Sequence, residues 1–224
     1  MNPNHSSLTI ALMPGFGCNT KIFDKLNLPQ ANIVKLEWIT PLKSESIHSY
    51  AERLITPELR ESKELYLIGH SFGGVIVQEI ARILPAKKVI LISSITSKES
   101  LSNGLHLVRT LRLDIWVHKI TMKGTFWMWG KNTGLKDEMK PMFQESTSNL
   151  ENKYFRWAVK NLAGWKQSLP NDLNPILIHG TKDTVFPLKK AQNPIEIENG
   201  GHLMVYFKAD EVSDVIKGII DPKP

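Results

Sequence analysis

Six short aliphatic runs, separated by long stretches of other character, constrain the fold of this 224-residue chain more than any other feature. Each run is bounded by Gly, Pro or polar residues, a pattern typical of buried strands. Parallel strands need crossovers of about a dozen residues, and every gap between these runs is long enough. The sequence therefore predicts an α/β fold with a mostly parallel, about six-stranded sheet flanked by helices, its strands at Leu8–Met13, Asn32–Leu36, Leu65–Gly69, Lys88–Ser93, Pro175–His179 and Pro194–Ile197.

Three of the intervening stretches have apolar residues at helical spacing. The first, Ser44–Ser62, contains Pro57, which is expected to bend the helix or break its end. The second, Phe72–Leu84, is followed by a proline that stops it. The third, Val205–Ile220, closes the chain as an amphipathic helix.

Residues 96–167 interrupt this alternation of strands and helices. The segment has no clear strand and contains five of the six tryptophans. We interpret it as a helical lid inserted into a core formed by residues 1–95 and 168–224. The segment between the last two strands, Gly180 to Asn193, is short and leaves little room for a helix, which favours a small sheet of about six strands.

The pentapeptide Gly69-His70-Ser71-Phe72-Gly73 fits the pattern G-x-S-x-G between a predicted strand and a predicted helix. Small residues at positions 69 and 73 are required because the backbone doubles back there and a side chain would strike a neighbouring element. The sharp turn exposes the serine hydroxyl and places it at a helix N-terminus, where developing negative charge is favoured. Ser71 is therefore the candidate nucleophile.

In this context the chain resembles the α/β-hydrolase family over nearly its whole length, from Leu8 to Ile220. That family orders its triad as serine, acid and histidine. The segment His179–Pro187 follows a strand and is similar to the family's acid loop, which implies Asp183 as the acid. Asn199-Gly200-Gly201-His202 follows the last strand and is similar to the histidine loop, which implies His202 as the base.

The chemistry requires these three residue types. A serine hydroxyl is a poor nucleophile until a neutral imidazole takes its proton, and a carboxylate fixes the imidazole tautomer and stabilises its charged form. His202 would act as base and then as acid, with Asp183 orienting it.

Other residues compete for these roles. His70 and His179 are assigned to packing, because one lies inside the turn beside Ser71 and the other ends a strand. His106 and His118 lie in the predicted lid without an acid at a recognisable spacing. Glu99 is the only acid near the alternative position that some family members use, so Asp183 is preferred.

Pro14-Gly15-Phe16-Gly17 follows the first strand and is similar to the family's His-Gly-x-Gly loop, with proline in place of histidine. The resemblance implies an oxyanion hole formed by the backbone N–H groups of Phe16 and Phe72. An ordinary tight turn after a strand is the alternative.

Aromatic and methionine residues crowd the predicted lid. They suit an apolar pocket over Ser71, and equally the packing of the lid on the core, so only a few are expected to touch substrate. The candidate substrate contacts are Trp127, Trp129, Phe143 and Trp157.

The positive charge of the chain is concentrated in the same segment. Residues 96–167 hold twelve basic and six acidic residues, an excess that equals the net charge of +6 of the whole chain. The excess suits an acidic carrier protein as partner, as for esterases and thioesterases that act on acyl carrier protein. A lysine-rich solvated face is the commoner explanation. No nucleic-acid-binding motif accompanies the basic residues.

Composition excludes several other classes. Cys18 is the single cysteine, so neither an internal disulfide nor a multi-cysteine metal site is possible. No run of about 18 apolar residues exists, and the polar start lacks the plan of a secretory signal, so a cytoplasmic protein without a membrane span is expected. No cofactor motif is present, and neither a metal nor a cofactor is expected.

The leading hypothesis is hydrolysis of a carboxylic ester or thioester with an apolar group, through an acyl-enzyme on Ser71. A serine at this position argues against haloalkane dehalogenase and epoxide hydrolase chemistry, which need a carboxylate nucleophile. A cofactor-free lyase or C–C hydrolase using the same triad stays open, as does a ligand-binding protein that retains the fold with little turnover.

Overall fold

A computed structural model describes residues 8–97, 137–148, 150–166, 174–191 and 193–221. The strands of this part are β1 (Leu8–Met13), β2 (Asn32–Lys35), β3 (Glu64–His70), β4 (Lys88–Ile92), β5 (Ile176–Gly180) and β6 (Ile195–Ile197). The α-helices are α1 (Ile47–Arg53), α2 (Pro57–Glu61), α3 (Phe72–Ala81), α4 (Lys140–Ser148), α5 (Asn152–Gly164), α6 (Met204–Phe207) and α7 (Ala209–Ile220). Short 3-10 helices lie at Thr20–Phe23, Asp137–Met139 and Leu188–Lys190.

The six strands form one sheet in the order β2-β1-β3-β4-β5-β6, and every pairing between them is parallel. The predicted α/β fold and its six-stranded sheet are confirmed. The order in which strands are added to the sheet reverses between β1 and β3. Strand β2 is added on one side of β1, whereas β3, β4, β5 and β6 are added in turn on the other side. The carboxyl ends of strands at such a switch point form a crevice in which ligands bind.

Alternation along the strands supplies two apolar layers, one on each face of the sheet. In β1, Ala11 and Met13 pack with the cluster that includes α1 and α3, whereas Ile10 and Leu12 pack with the cluster that includes α7. The strands β3 and β4 alternate in the same way. The central strands are therefore buried on both faces, as expected for a parallel sheet covered by helices.

The helix predicted over Ser44–Ser62, with a bend or a broken end at Pro57, is divided in the structure into α1 and α2. Pro57 is the first residue of α2, and Thr56 before it is extended with φ −86° and ψ 164°. A proline has no N–H to donate and disfavours helical geometry at the preceding residue, so the helix must restart there.

The helix predicted over Val205–Ile220 is also divided, into α6 and α7, at Lys208 with φ −128° and ψ 40°. The predicted helix after β3 begins at Phe72 as expected and ends at Ala81 rather than Leu84. Between β5 and β6, the described residues include only a 3-10 helix, in agreement with the short predicted connection.

Helices α4 and α5 lie between β4 and β5, and polar contacts tie them and the following Trp165 to the core. Lys21 Nζ lies 2.6 Å from Glu145 Oε2 of α4. The indole N–H of Trp157 donates to the carbonyl of Glu45 at 2.9 Å, and that of Trp165 donates to the buried carboxylate of Glu79 at 2.8 Å. The described part of residues 96–167 is thus fastened to the core, and the full extent of the lid stays a prediction.

In the part of the chain that the structure describes, no helix is long and apolar enough to cross a membrane.

Two helical glycines make a matched pair for a stability test. A Cβ added to Gly74 in α3 would lie 2.2 Å from Ser94 Oγ and 2.6 Å from Ser94 Cβ, whereas one added to Gly218 in α7 would meet nothing within 4 Å. We expect Gly218→Ala to stabilise the protein by about 0.5–1 kcal/mol. Gly74→Ala should destabilise it by about 1–3 kcal/mol because of overpacking. Urea unfolding measures both, and equal effects of the two substitutions would contradict this packing.

Candidate active site

The site is built on the turn between β3 and α3. Ser71 has φ 53° and ψ −122°, a conformation that costs a non-glycine residue about 1–3 kcal/mol. Its N–H donates to the carbonyl of Ile92 at 2.9 Å, and Ser94 Oγ donates to its carbonyl at 2.6 Å. Both main-chain groups of Ser71 are therefore held from β4 and the residues after it.

Two glycines permit the turn. A Cβ on Gly69 would lie 2.5 Å from the carbonyl oxygen of Gly73, and a Cβ on Gly73 would lie 2.3 Å from the carbonyl oxygen of Met13. Any side chain at either position would collide with backbone, which cannot move aside as a flexible side chain can. These distances supply the steric reason for glycine at both ends of the pentapeptide.

The turn, the acid loop and the histidine loop bring three buried side chains into one hydrogen-bonded chain. His202 Nε2 lies 2.9 Å from Ser71 Oγ, and His202 Nδ1 lies 2.9 Å from Asp183 Oδ2. An ionised carboxylate only accepts hydrogen bonds, so Nδ1 carries the proton and Nε2 is left to accept from the serine hydroxyl. This is the tautomer that a general base needs.

Asp183 is held as an anion by its surroundings. Its Oδ1 accepts the N–H groups of Val185 at 2.8 Å and Phe186 at 3.0 Å. Burial by itself raises the pKa of Asp183, but the nearby His202, the N–H of Phe186 and the nearby His179 together outweigh burial, so the pKa lies below its usual value. The carboxylate is therefore charged at neutral pH and able to stabilise an imidazolium.

The acid and histidine loops pack directly on each other. Gly180 and Gly200 are in such close contact that a Cβ on Gly180 would lie 2.2 Å from the carbonyl oxygen of Gly200. The same carbonyl accepts the N–H of Lys182 at 2.8 Å, and the N–H of Asn199 donates to Thr181 Oγ1 at 2.8 Å. These bonds fix the separation of Asp183 and His202.

The loop after β1 approaches Ser71 from the other side of the switch point. A Cβ on Gly15 would lie 3.0 Å from Ser71 Cβ, and Gly17 has φ 71°, a conformation that favours glycine. Among the described residues, the N–H groups of Phe16 and Phe72 donate to no other group. Their role as oxyanion donors stays a prediction.

Trp38, which follows β2, is a residue that the sequence reasoning missed. Its indole N–H donates to the carbonyl of Gly15 at 3.1 Å, and its ring stacks on Phe72 with a centroid distance of 5.4 Å. It therefore touches both loops that carry the candidate oxyanion donors. It is also the one tryptophan outside residues 96–167, a signal in the sequence that could have singled it out.

The predicted substrate contacts have different outcomes. Trp127 and Trp129 lie outside the described residues. Phe143 is buried with the cluster that includes α7. Trp157 is buried on the opposite face, with its ring 6.0 Å from that of Phe72 and its N–H bound to Glu45. The roles of all four as substrate contacts stay predictions.

The rival histidines His70 and His179 are both buried. His179 Nε2 donates to the carbonyl of Phe186 at 2.6 Å and lies 3.6 Å from Asp183 Oδ2. His70 Nε2 donates to the carbonyl of His202 at 2.9 Å. Each of these histidines therefore donates a hydrogen bond to a main-chain carbonyl in a loop of the site, in addition to being buried. His106, His118 and Glu99 lie outside the described residues.

Aromatic side chains of α5 cover the loop after β1. The ring of Phe16 stacks on Tyr154 with a centroid distance of 5.8 Å and meets the edge of Phe155 at 5.5 Å. Within the described ranges, no group of three or more His, Cys, Asp or Glu residues could hold a metal ion. The site thus places a hydrogen-bonded serine, histidine and aspartate close to aromatic side chains.

A sequence profile of the alpha/beta hydrolase family matches residues 13–215. No curated protein matches the chain in sequence. A lipase-esterase related protein from Clostridium acetobutylicum ATCC 824 has a similar structure, with 19% identity, a TM-score of 0.61, and coverage of 95% of this chain and 94% of that one.

Two further solved structures are similar at comparable levels. A thermophilic esterase from Thermogutta terrifontis has 15% identity, a TM-score of 0.68, and coverage of 95% of this chain and 89% of that chain. The epoxide hydrolase of Bacillus megaterium has 15% identity and a TM-score of 0.68, with coverage of 97% of this chain and 94% of that one. At these identities the likeness shows the fold alone.

His70 gives the protein a specific pH dependence of stability. Burial, with a smaller contribution from His202, lowers the pKa of His70 from 6.5 to about 3. Between these values the unfolded chain takes up a proton that the folded chain does not, so this contribution to stability falls as pH drops below about 6.5. His70→Gln, which cannot take up that proton, should reduce the loss of unfolding free energy between pH 7 and pH 5 by about 2 kcal/mol.

Urea unfolding at the two pH values checks this expectation. The same pH dependence in the wild type and in His70→Gln would show that His70 is not held neutral in the folded state.

Proposed function

The chain belongs to the alpha/beta hydrolase family, and from this premise we propose that it is a serine hydrolase of carboxylic esters or thioesters. The observation that carries the proposal is the hydrogen-bonded chain of Ser71, His202 and Asp183 at the turn after β3. A serine hydroxyl bound to an imidazole, itself oriented by a carboxylate, is the arrangement that acyl transfer through a covalent intermediate requires.

In the first half of the reaction, Ser71 Oγ attacks the carbonyl carbon of the substrate while His202 Nε2 accepts the hydroxyl proton. The imidazolium that forms is stabilised by Asp183, whose Oδ2 accepts the Nδ1–H bond. Collapse of the tetrahedral intermediate breaks the bond to the alcohol or thiol, which leaves with the proton from Nε2. The acyl group is then bound to Ser71 Oγ.

In the second half, water attacks the acyl-enzyme and His202 Nε2 takes one of its protons. The second tetrahedral intermediate collapses, Ser71 Oγ recovers the proton from Nε2, and the carboxylic acid is released. In both halves the N–H groups of Phe16 and Phe72 would bind the oxyanion. Loss of one such donor typically costs about 10²–10³ in rate.

The aromatic wall beside the nucleophile supports the proposal that the substrate has an apolar group. Phe16 and Phe72, the two candidate oxyanion donors, have ring partners in Trp38 and in the α5 residues Tyr154 and Trp157. Aromatic walls with a few polar groups are typical of small-molecule sites. We propose residues 96–167 as the lid over this site, with Trp127, Trp129, Phe143 and Trp157 as candidate contacts.

An acidic carrier protein as partner and a cytoplasmic location stay predictions from the sequence. Most of the basic excess of residues 96–167 lies outside the described residues, so it adds no contact to the proposal. The absence of turnover with any ester would favour a lyase, a C–C hydrolase or a ligand-binding protein on the same residues.

Hydrolysis of p-nitrophenyl esters from acetate to long acyl chains tests the proposal. We expect Ser71→Ala to abolish turnover and Asp183→Asn to lower kcat by about 10⁴-fold, because the amide stabilises the wrong imidazole tautomer. Ser49→Ala, at an exposed position in α1, is the matched control and should keep wild-type activity.

Turnover that survives in Ser71→Ala would contradict the assignment of the nucleophile. A folded wild-type protein that hydrolyses none of these esters would contradict the proposed activity itself. The acyl-chain length with the highest kcat/KM gives the length of acyl chain that the apolar pocket accommodates.

A further inference from the structure

His70 lies at the meeting point of the three loops that form the site. It is the last residue of β3, directly before Ser71, and its side chain is buried. Its Nε2 donates to the main-chain carbonyl of His202 at 2.9 Å, across 132 residues of sequence. On its other side, a Cβ on Gly15 would lie 2.7 Å from His70 Nδ1.

The hydrogen bond fixes the tautomer of His70. A carbonyl oxygen only accepts, so Nε2 carries the proton and Nδ1 is bare. Nδ1 is buried and has no hydrogen-bond partner among the described residues. A histidine that only fills space would need no particular tautomer. In His70 the proton lies on the nitrogen that faces the carbonyl of His202.

The neutral state of His70 also suits the reaction. The ring centroids of His70 and His202 are 5.3 Å apart. A second positive charge at that distance would oppose the imidazolium that forms on His202 during catalysis. Burial prevents this, since it lowers the pKa of His70 to about 3.

The carbonyl of His202 is held from one side. Within the described ranges, His70 is the only donor to this carbonyl, while the neighbouring main chain is held at Gly200, which accepts the Lys182 N–H at 2.8 Å, and at Gly201, which accepts the Met204 N–H at 3.0 Å. The imidazole must nevertheless stay 2.9 Å from both Ser71 Oγ and Asp183 Oδ2. The bond from His70 therefore restrains the backbone from which the base projects.

We propose that His70 is a positioning residue, whose Nε2–H holds the main chain of His202 so that the imidazole is aligned with Ser71. This inference rests on the proposed function. It gives the residue between Gly69 and Ser71 a role in the acyl-transfer step, although it touches no reacting atom itself.

Three substitutions separate this role from packing. His70→Gln places an amide N–H near the position of Nε2 and can keep the bond to His202. His70→Asn has the same amide, but its nitrogen reaches only the position of Nδ1. His70→Met fills similar volume without a donor. We expect Gln to retain most of the wild-type kcat, and Asn and Met to lose about 10- to 100-fold in kcat with little change in KM.

Active sites are counted by covalent labelling of Ser71 with a fluorophosphonate, and kcat is expressed per labelled site. A merely structural role would lower the number of sites that label while leaving kcat per site unchanged. A positioning role lowers kcat per site and the labelling rate constant together. The pair of amides decides the question even if His70→Met does not fold.

Wild-type kcat per site in His70→Asn, or equal losses in Gln and Asn, would overturn the positioning role while leaving the serine hydrolase intact. A wild-type protein that neither hydrolyses esters nor labels at Ser71 would overturn the proposed function, and the role of His70 with it.

Discussion

The rest of the site depends on the backbone conformation of Ser71. With φ 53°, this residue occupies a region that L-amino acids rarely adopt, and the turn exists only because Gly69 and Gly73 leave room for the backbone to pass. The surrounding sheet holds the turn in place, through the bond from the Ser71 N–H to Ile92 and the bond from Ser94 Oγ to the Ser71 carbonyl. Strain at a functional residue persists only where its surroundings over-determine it.

The parallel sheet explains how distant segments converge on that turn. The loops after β1, β3, β5 and β6 all leave from the carboxyl edge of the sheet, and the switch in strand order opens a crevice between β1 and β3. Ser71 and the Phe16 loop flank the crevice, while Asp183 and His202 arrive from β5 and β6. Among the described residues of this crevice, the buried Asp183 carboxylate accepts three hydrogen bonds, and burial keeps His70 neutral.

Much of this arrangement could be predicted from the sequence because it rests on local patterns. Strand β1 has the predicted bounds, and the elements on both sides of Ser71 follow from the aliphatic run before it and the helical periodicity after it. The order of serine, acid and histidine placed Asp183 and His202 through resemblance to the family. The division of Ser44–Ser62 was only partly foreseen, because the sequence marks Pro57 as a break but does not show that a new helix begins there.

The contacts that sequence patterns missed join residues far apart in the chain. Trp38 binds Gly15 and stacks on Phe72, and His70 binds His202. Neither contact leaves a periodicity or a motif, because each depends on how the loops meet at the edge of the sheet.

The central claim, an acyl-enzyme on Ser71, is tested most directly by trapping the intermediate. A slowly deacylating p-nitrophenyl ester, mixed with the enzyme and quenched in acid, should add the mass of one acyl group, located by peptide mass spectrometry on Ser71. An acyl group found on another residue, or product formed with no covalent adduct under conditions where turnover is observed, would contradict the account.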